Sequence, residues 1–138
     1  MEKCEKPISK ALGTSTVPSV SKRHLLVYRQ YITKRFHMNT LLTGREDFQW
    51  EEPFLFGYGK KSEYERLKKT CPSYKDAFLL IDIKHDELIH NRDLVAVVVR
   101  QSDHKRFEIG LSWLTTMNKK TKAFQLLNDY ATWIDNCC

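Results

Sequence analysis

Leu94–Leu114, LVAVVVRQSDHKRFEIGLSWL, holds two β-rich segments around a polar turn, and an amphipathic run from Lys119 to Asp135 follows directly. A two-stranded unit with an apolar face does not stand alone in water, so a matching surface must cover it. In the second segment Phe107, Ile109, Leu111 and Trp113 alternate with Glu108, Gly110 and Ser112. The run after it puts Ala123, Leu126, Leu127, Tyr130, Trp133 and Ile134 on one helical stripe, with Phe124 beside it. Hairpin face and helix stripe are expected to pack on each other.

The rest of the chain extends this to an α+β domain: a small antiparallel sheet of three to five strands packed with two to three helices. Leu25, Tyr28, Ile32 and Phe36 fall on one face of a helix over residues 22–36, with Ser21 as its cap. Between Thr43 and Gly59, Phe48, Trp50, Phe54, Phe56 and Tyr58 alternate at period two, which reads as short extended segments broken by Pro53. Ser62 and Glu65 form an S-x-x-E capping box that starts a helix running to about Thr70, stopped by Pro72. In Ala77–Ile83, Leu79, Ile81 and Ile83 alternate with Phe78, Leu80 and Asp82, the pattern of a mostly buried strand. Gly110 inside a strand would let the sheet bend toward an SH3-like barrel.

Residues 1–21, with Pro7, Gly13, Pro18 and several Ser and Thr, read as a flexible basic tail, and residues 22–138 as one domain. No apolar run is long enough for a membrane span, and no hydrophobic core of a signal peptide begins the chain. Cys4, Cys71, Cys137 and Cys138 have no zinc spacing, so reduced thiols in the cytoplasm are expected. No acid occurs between Glu5 and Glu46, a composition that organellar transit segments share and that sets an alternative location.

Charge separates the chain into two parts. Of its net +6, all resides in residues 1–36, where Lys3, Lys6, Lys10, Lys22, Arg23, Arg29, Lys34 and Arg35 face only Glu2 and Glu5. A neutral body with a basic arm suits attachment to something anionic, a nucleic acid or an acidic protein. The expected function is a non-enzymatic binding module, with Arg23, Arg29, Lys34 and Arg35 contacting phosphates. Lys60 and Lys61, after the Gly57-Tyr-Gly59 turn, would extend such a surface, with the aromatics Trp50, Phe54, Phe56 and Tyr58 beside them stacking on single-stranded bases. Aromatics at strand spacing more often pack among themselves.

Other chemistries are less well supported by the residue pattern. Asp86-Glu87-Leu88-Ile89-His90 differs from the zinc motif H-E-x-x-H at its first position, and His85 is one place out of register. Asp82, Asp86, Glu87 and Asp93 supply oxygen ligands for a hard cation, so a small regulatory Ca²⁺ protein is the alternative function, although they lack the EF-hand order. The same acids also serve as the solvated side chains of a connection. A small enzyme ranks third, because Cys71 with His85, His90 or His104 makes no recognisable nucleophile–base motif.

Phe56–Lys69, F-G-Y-G-K-K-x-E-Y-E-R-L-K-K, then Pro72–Phe78, P-S-Y-K-D-x-F, then the hairpin and Asp129-Tyr130-x-x-Trp133, resembles a family of small uncharacterised bacterial proteins. The last third, a hairpin followed by a helix with D-Y-x-x-W, is also similar to the cyanobacterial calcium-binding protein family. That second resemblance implies calcium binding. The family is acid-rich, residues 37–138 here are charge-neutral, and no site residue carries over.

Overall fold

A computed structural model describes residues 22–35, 40–57, 59–85 and 93–136. The expected tail, Ser21 as a cap, and Phe36, Tyr58, Asp86, Glu87 and His90 all lie outside them, as do Cys4, Cys137 and Cys138.

The elements run α1 (Lys22–Arg35), β1 (Leu41–Gly44), a 3₁₀ turn (Gln49–Glu51), α2 (Glu52–Leu55), α3 (Lys61–Leu67), β2 (Phe78–Lys84), β3 (Val95–Arg100), β4 (Arg106–Gly110), a second 3₁₀ turn (Leu111–Trp113), β5 (Leu114–Thr116) and α4 (Lys122–Asn136). Among the described residues this is an α+β fold with four helices and one antiparallel sheet, ordered β4-β3-β2-β1-β5. The sheet is open among the described residues, with β4 and β5 at its two edges, and is not closed into the barrel expected from Gly110.

Three local expectations are corrected. The aromatic alternation around Pro53 is not extended structure: the chain turns through 3₁₀ into α2, with Pro53 in its first turn, where a fixed φ and a missing N–H cost nothing. Helix α3 starts at Lys61 with Lys60 as its N-cap and no side-chain capping bond, so Ser62 does not cap it. In β2 a register shift between Leu80 and Asp82 inserts one residue. The bulge turns Phe78, Leu80 and Ile83 to the core, in place of the single Leu79/Ile81/Ile83 face.

One core joins the helices to the sheet. Leu25, Tyr28 and Ile32 of α1 and Leu127, Tyr130, Trp133 and Ile134 of α4 pack with Phe78, Leu80, Ala96, Val98, Ile109, Leu111 and Leu114. The final helix packs on the second 3₁₀ turn and on β5 and shares this core with Ile109 and Leu111, but the expected hairpin face is cut short. The strand ends at Gly110, and Leu111–Trp113 turns the chain into β5. Phe107 instead meets Phe78 edge-on at 6.4 Å, and Trp113 meets Phe48 in the same way at 6.4 Å.

Two buried charges tie the connection between β1 and β2 to the body. Glu51, fully buried, accepts hydrogen bonds from Tyr64 Oη (2.6 Å), Ser73 Oγ (2.8 Å) and the Tyr74 amide (2.8 Å). Burial and this carboxylate push the Tyr64 phenol up to about 12. Arg100 donates to Asp76 and Asp103 and to the carbonyls of Lys68, Lys69 and Cys71, so every arm of its guanidinium is used.

Gly44 marks where this connection rejoins the sheet. Its amide donates to Tyr74 O at 2.9 Å, and a Cβ there would lie 2.4 Å from the Tyr74 Cα and 2.6 Å from its carbonyl oxygen. Backbone cannot swing aside as a side-chain tip does. Gly44→Ala is expected to destabilise the fold by about 1–3 kcal/mol, the usual cost of overpacking. Thermal melts followed by circular dichroism check this; an unchanged midpoint would mean that the Tyr74 segment yields freely.

Candidate nucleic-acid interface

Helix α1 carries Lys22, Arg23, Arg29, Lys34 and Arg35 and no acidic residue. Its inner face is pinned by Leu25, Tyr28 and Ile32, each at most 1% exposed. That burial fixes the rotation of the helix and turns Arg23, Gln30 and Lys34 to solvent, with Leu26 and Val27 exposed beside them. Lys34 and Arg35 sit in the last turn, where the helix dipole favours positive charge.

The expected phosphate ligands part into three groups. Arg23 and Lys34 are exposed. Arg29 is engaged within the fold: its Nε donates to Ile83 O at 2.5 Å and its guanidinium lies 4.0 Å from Asp82, clamping α1 to the bulged strand β2. Arg35 is exposed yet ordered. Its guanidinium carbon stands 3.6 Å above the Tyr31 ring centroid, and Nη1 donates to Tyr31 O at 3.2 Å. Lys60 and Lys61 are exposed at the start of α3. The aromatics near them pack on one another: Phe54 stacks on Tyr64 at 5.3 Å and 13°, and Trp50 Nε1 donates to Pro72 O at 2.7 Å. Phe56 alone among the described aromatics of that segment stands well out, at 70% exposure.

Sequence reasoning missed the partner surface to α1. Lys122, Gln125, Leu126 and Asp129 recur at helical spacing along α4 and face Tyr31 and Arg35 across a cavity of about 440 Å³. A second cavity of about 600 Å³ continues past Arg35 and Lys122 to Leu41 and Met117 at the β1–β5 edge. Helix α4 is capped there by Thr121, whose Oγ1 accepts from the Phe124 amide at 3.1 Å. Lys119 and Lys120 are exposed on the turn just before it. The signal for this surface was the basic cluster at residues 119–122, hidden in a chain segment whose net charge cancels overall.

The acids proposed for a cation are dispersed in role. Asp82 is exposed and faces Arg29. Asp93 accepts from Ser112 Oγ at 2.7 Å and from the Tyr130 hydroxyl, which itself accepts from the Leu94 amide at 2.7 Å. Burial pushes the Asp93 carboxyl up, against those hydrogen bonds, and burial with the nearby carboxylate pushes the Tyr130 phenol up as well. The Asp93–Tyr130–Ser112 cluster thus fastens α4 and the second 3₁₀ turn to the start of β3. Among the described residues no three His, Cys, Asp or Glu side chains converge as a metal site, while Asp86 and Glu87 are not among them. Cys71 carries a free thiol whose sulfur lies 3.9 Å from Thr70 Oγ1.

Family models, curated proteins and solved structures were compared with the chain, and none matches it. No helix among the described residues is long and apolar enough to cross a membrane.

Proposed function

We propose that this protein is a non-enzymatic binding module of the cytoplasm whose basic N-terminal segment engages nucleic acid. The observation that carries the reading is helix α1: five basic residues without an acid, held by a buried inner face so that Arg23, Lys34 and Arg35 project outward on a fixed scaffold. Charge presented this way meets a phosphate backbone without the entropy loss of ordering a free arm. The exposed Lys122 borders the same cavity as Arg35, with Lys119 and Lys120 exposed on the turn before it. A binding role also agrees with the use made of the buried polar groups. Glu51, Arg100 and Asp93 are each spent on contacts that hold chain segments together.

Fluorescence anisotropy with labelled single-stranded and duplex oligonucleotides across a salt series tests the reading. Each phosphate neutralised contributes a slope of roughly −0.7 to −0.9 in log affinity against log salt. The variant Arg23→Ala/Lys34→Ala/Arg35→Ala is expected to bind at least tenfold more weakly and to flatten the slope by about 2–3. Binding that ignores salt, or an affinity unchanged in the triple variant, would remove α1 as the contact surface.

A further inference from the structure

We propose that the cavity between α1 and α4 receives the base of an unpaired guanine nucleotide, a step that rests on the nucleic-acid reading of the surface around it. Asp129 decides the chemistry. It is 3% exposed, yet it borders the cavity, and among the described residues Gln125 is its one hydrogen-bond partner, through Nε2 to Oδ1 at 2.9 Å. A carboxylate removed from water with a single neutral donor is costly, and a ligand bringing further N–H donors relieves that cost.

The walls narrow the choice of ligand. Arg35 and Lys122 border the same cavity, so the ligand should carry an anionic group as well as donors. Tyr31 and Leu126 supply apolar wall, and the Arg35 guanidinium carbon already stands 3.6 Å over the Tyr31 ring, a contact that extends into stacking on a base. A volume of about 440 Å³ falls in the ordinary range for small-ligand sites. Among the bases, guanine alone presents two adjacent donors, N1–H and the N2 amino group, on its pairing edge. A carboxylate accepts both at once. Adenine and cytosine would each set a ring-nitrogen acceptor against Asp129, and uracil offers one donor between two carbonyls. Gln125 can meet the guanine carbonyl with its amide, and Lys122 and Arg35 can meet the phosphate.

The test titrates the isotope-labelled full chain with GMP, IMP and AMP, following the Gln125 side-chain amide by NMR. GMP is expected to bind at least tenfold more tightly than AMP, with IMP, which lacks the N2 amino group, between them. Asp129→Asn replaces one carboxylate oxygen by an amide donor at the same volume and should lower GMP affinity at least tenfold without weakening AMP, whose ring nitrogen the new amide can meet. Arg35→Ala, at an exposed position, should weaken all three together. Equal binding of GMP and AMP by the unmodified chain overturns the proposal and requires no variant to fold. A GMP preference that survives Asp129→Asn also overturns it. Oligonucleotides with a single guanine or a single adenine separate the sources. A guanine preference within a strand assigns the pocket to nucleic acid, and a GMP preference without strand binding keeps the pocket for free guanine nucleotides and overturns the surface reading. Salt-dependent strand binding that is blind to guanine leaves the α1 surface standing and removes the pocket.

Discussion

Trp133→Ala is expected to lower stability by about 3–5 kcal/mol, the usual cost of truncating a buried indole. Trp133 is 1% exposed and lies 5.8 Å from the Tyr28 ring and 6.1 Å from that of Tyr130, at the point where α1, α4 and the sheet meet. Removing it opens a void that Tyr130 cannot collapse into, because its hydroxyl is committed to Asp93 and to the Leu94 amide. For a domain whose whole stability is of order 5–15 kcal/mol, this is a large share. Lys119→Ala, at an exposed turn, should stay within about 0.5 kcal/mol. Urea unfolding of both variants measures the contrast; equal midpoints would place the indole outside the core.

Arg100→Ala should be of similar size, about 3–5 kcal/mol, by a different route. The side chain is 3% exposed and neutralises Asp76 and Asp103 while satisfying three carbonyls. Without it the Lys68, Lys69 and Cys71 carbonyls lose their donor, and the segment that follows α3 loses its anchor. Acid adds a second readout. The Arg100 hydrogen bond holds the Asp103 carboxyl down at about 2, so the pair's contribution is present at neutral pH and fades as pH falls toward that value. The variant should lose that part of the acid dependence. Unchanged stability at pH 7 would show that the contacts around Arg100 carry no net weight.

What could be read from the residues depended on how far apart the deciding partners were. The α1 and α4 stripes show at period 3.6 because burial of Leu25, Tyr28 and Ile32, or of Leu127, Tyr130 and Ile134, needs only one apolar side. Period two misled twice. Phe48, Trp50, Phe54 and Phe56 alternate like a strand, but Pro53 starts a helical turn that brings Trp50 and Phe54 together at 6.1 Å. Leu111 and Trp113 continue the alternation of β4, but Asp93 draws Ser112 aside and the strand ends. The bulge in β2 leaves no local trace either. The basic character of α1 was plain from charge counting, whereas its division into free Arg23 and Lys34, stacked Arg35 and clamped Arg29 depended on Tyr31, Asp82 and Ile83. The pocket bordered by Asp129 joins two helices from opposite halves of the chain, and no spacing rule reaches across that separation.

Strand β1 is four residues long, yet it lies inside the sheet, with Leu42 opposite both Phe78 of β2 and Thr116 of β5. It is therefore the hinge pin of the chain's assembly. The β2–β3–β4 meander can zip from neighbours close in sequence, whereas β5 cannot dock until β1 has been recruited from more than half the chain away. Loop closure of that size comes before any reward, which makes it a slow, late event. Helix α4 packs on β5 and on the turn before it, so its arrival and that of β1 form a single cooperative step. Amides of Leu42 and Thr116 should accordingly exchange with solvent in one shared opening event, apart from those of the β2–β3 ladder.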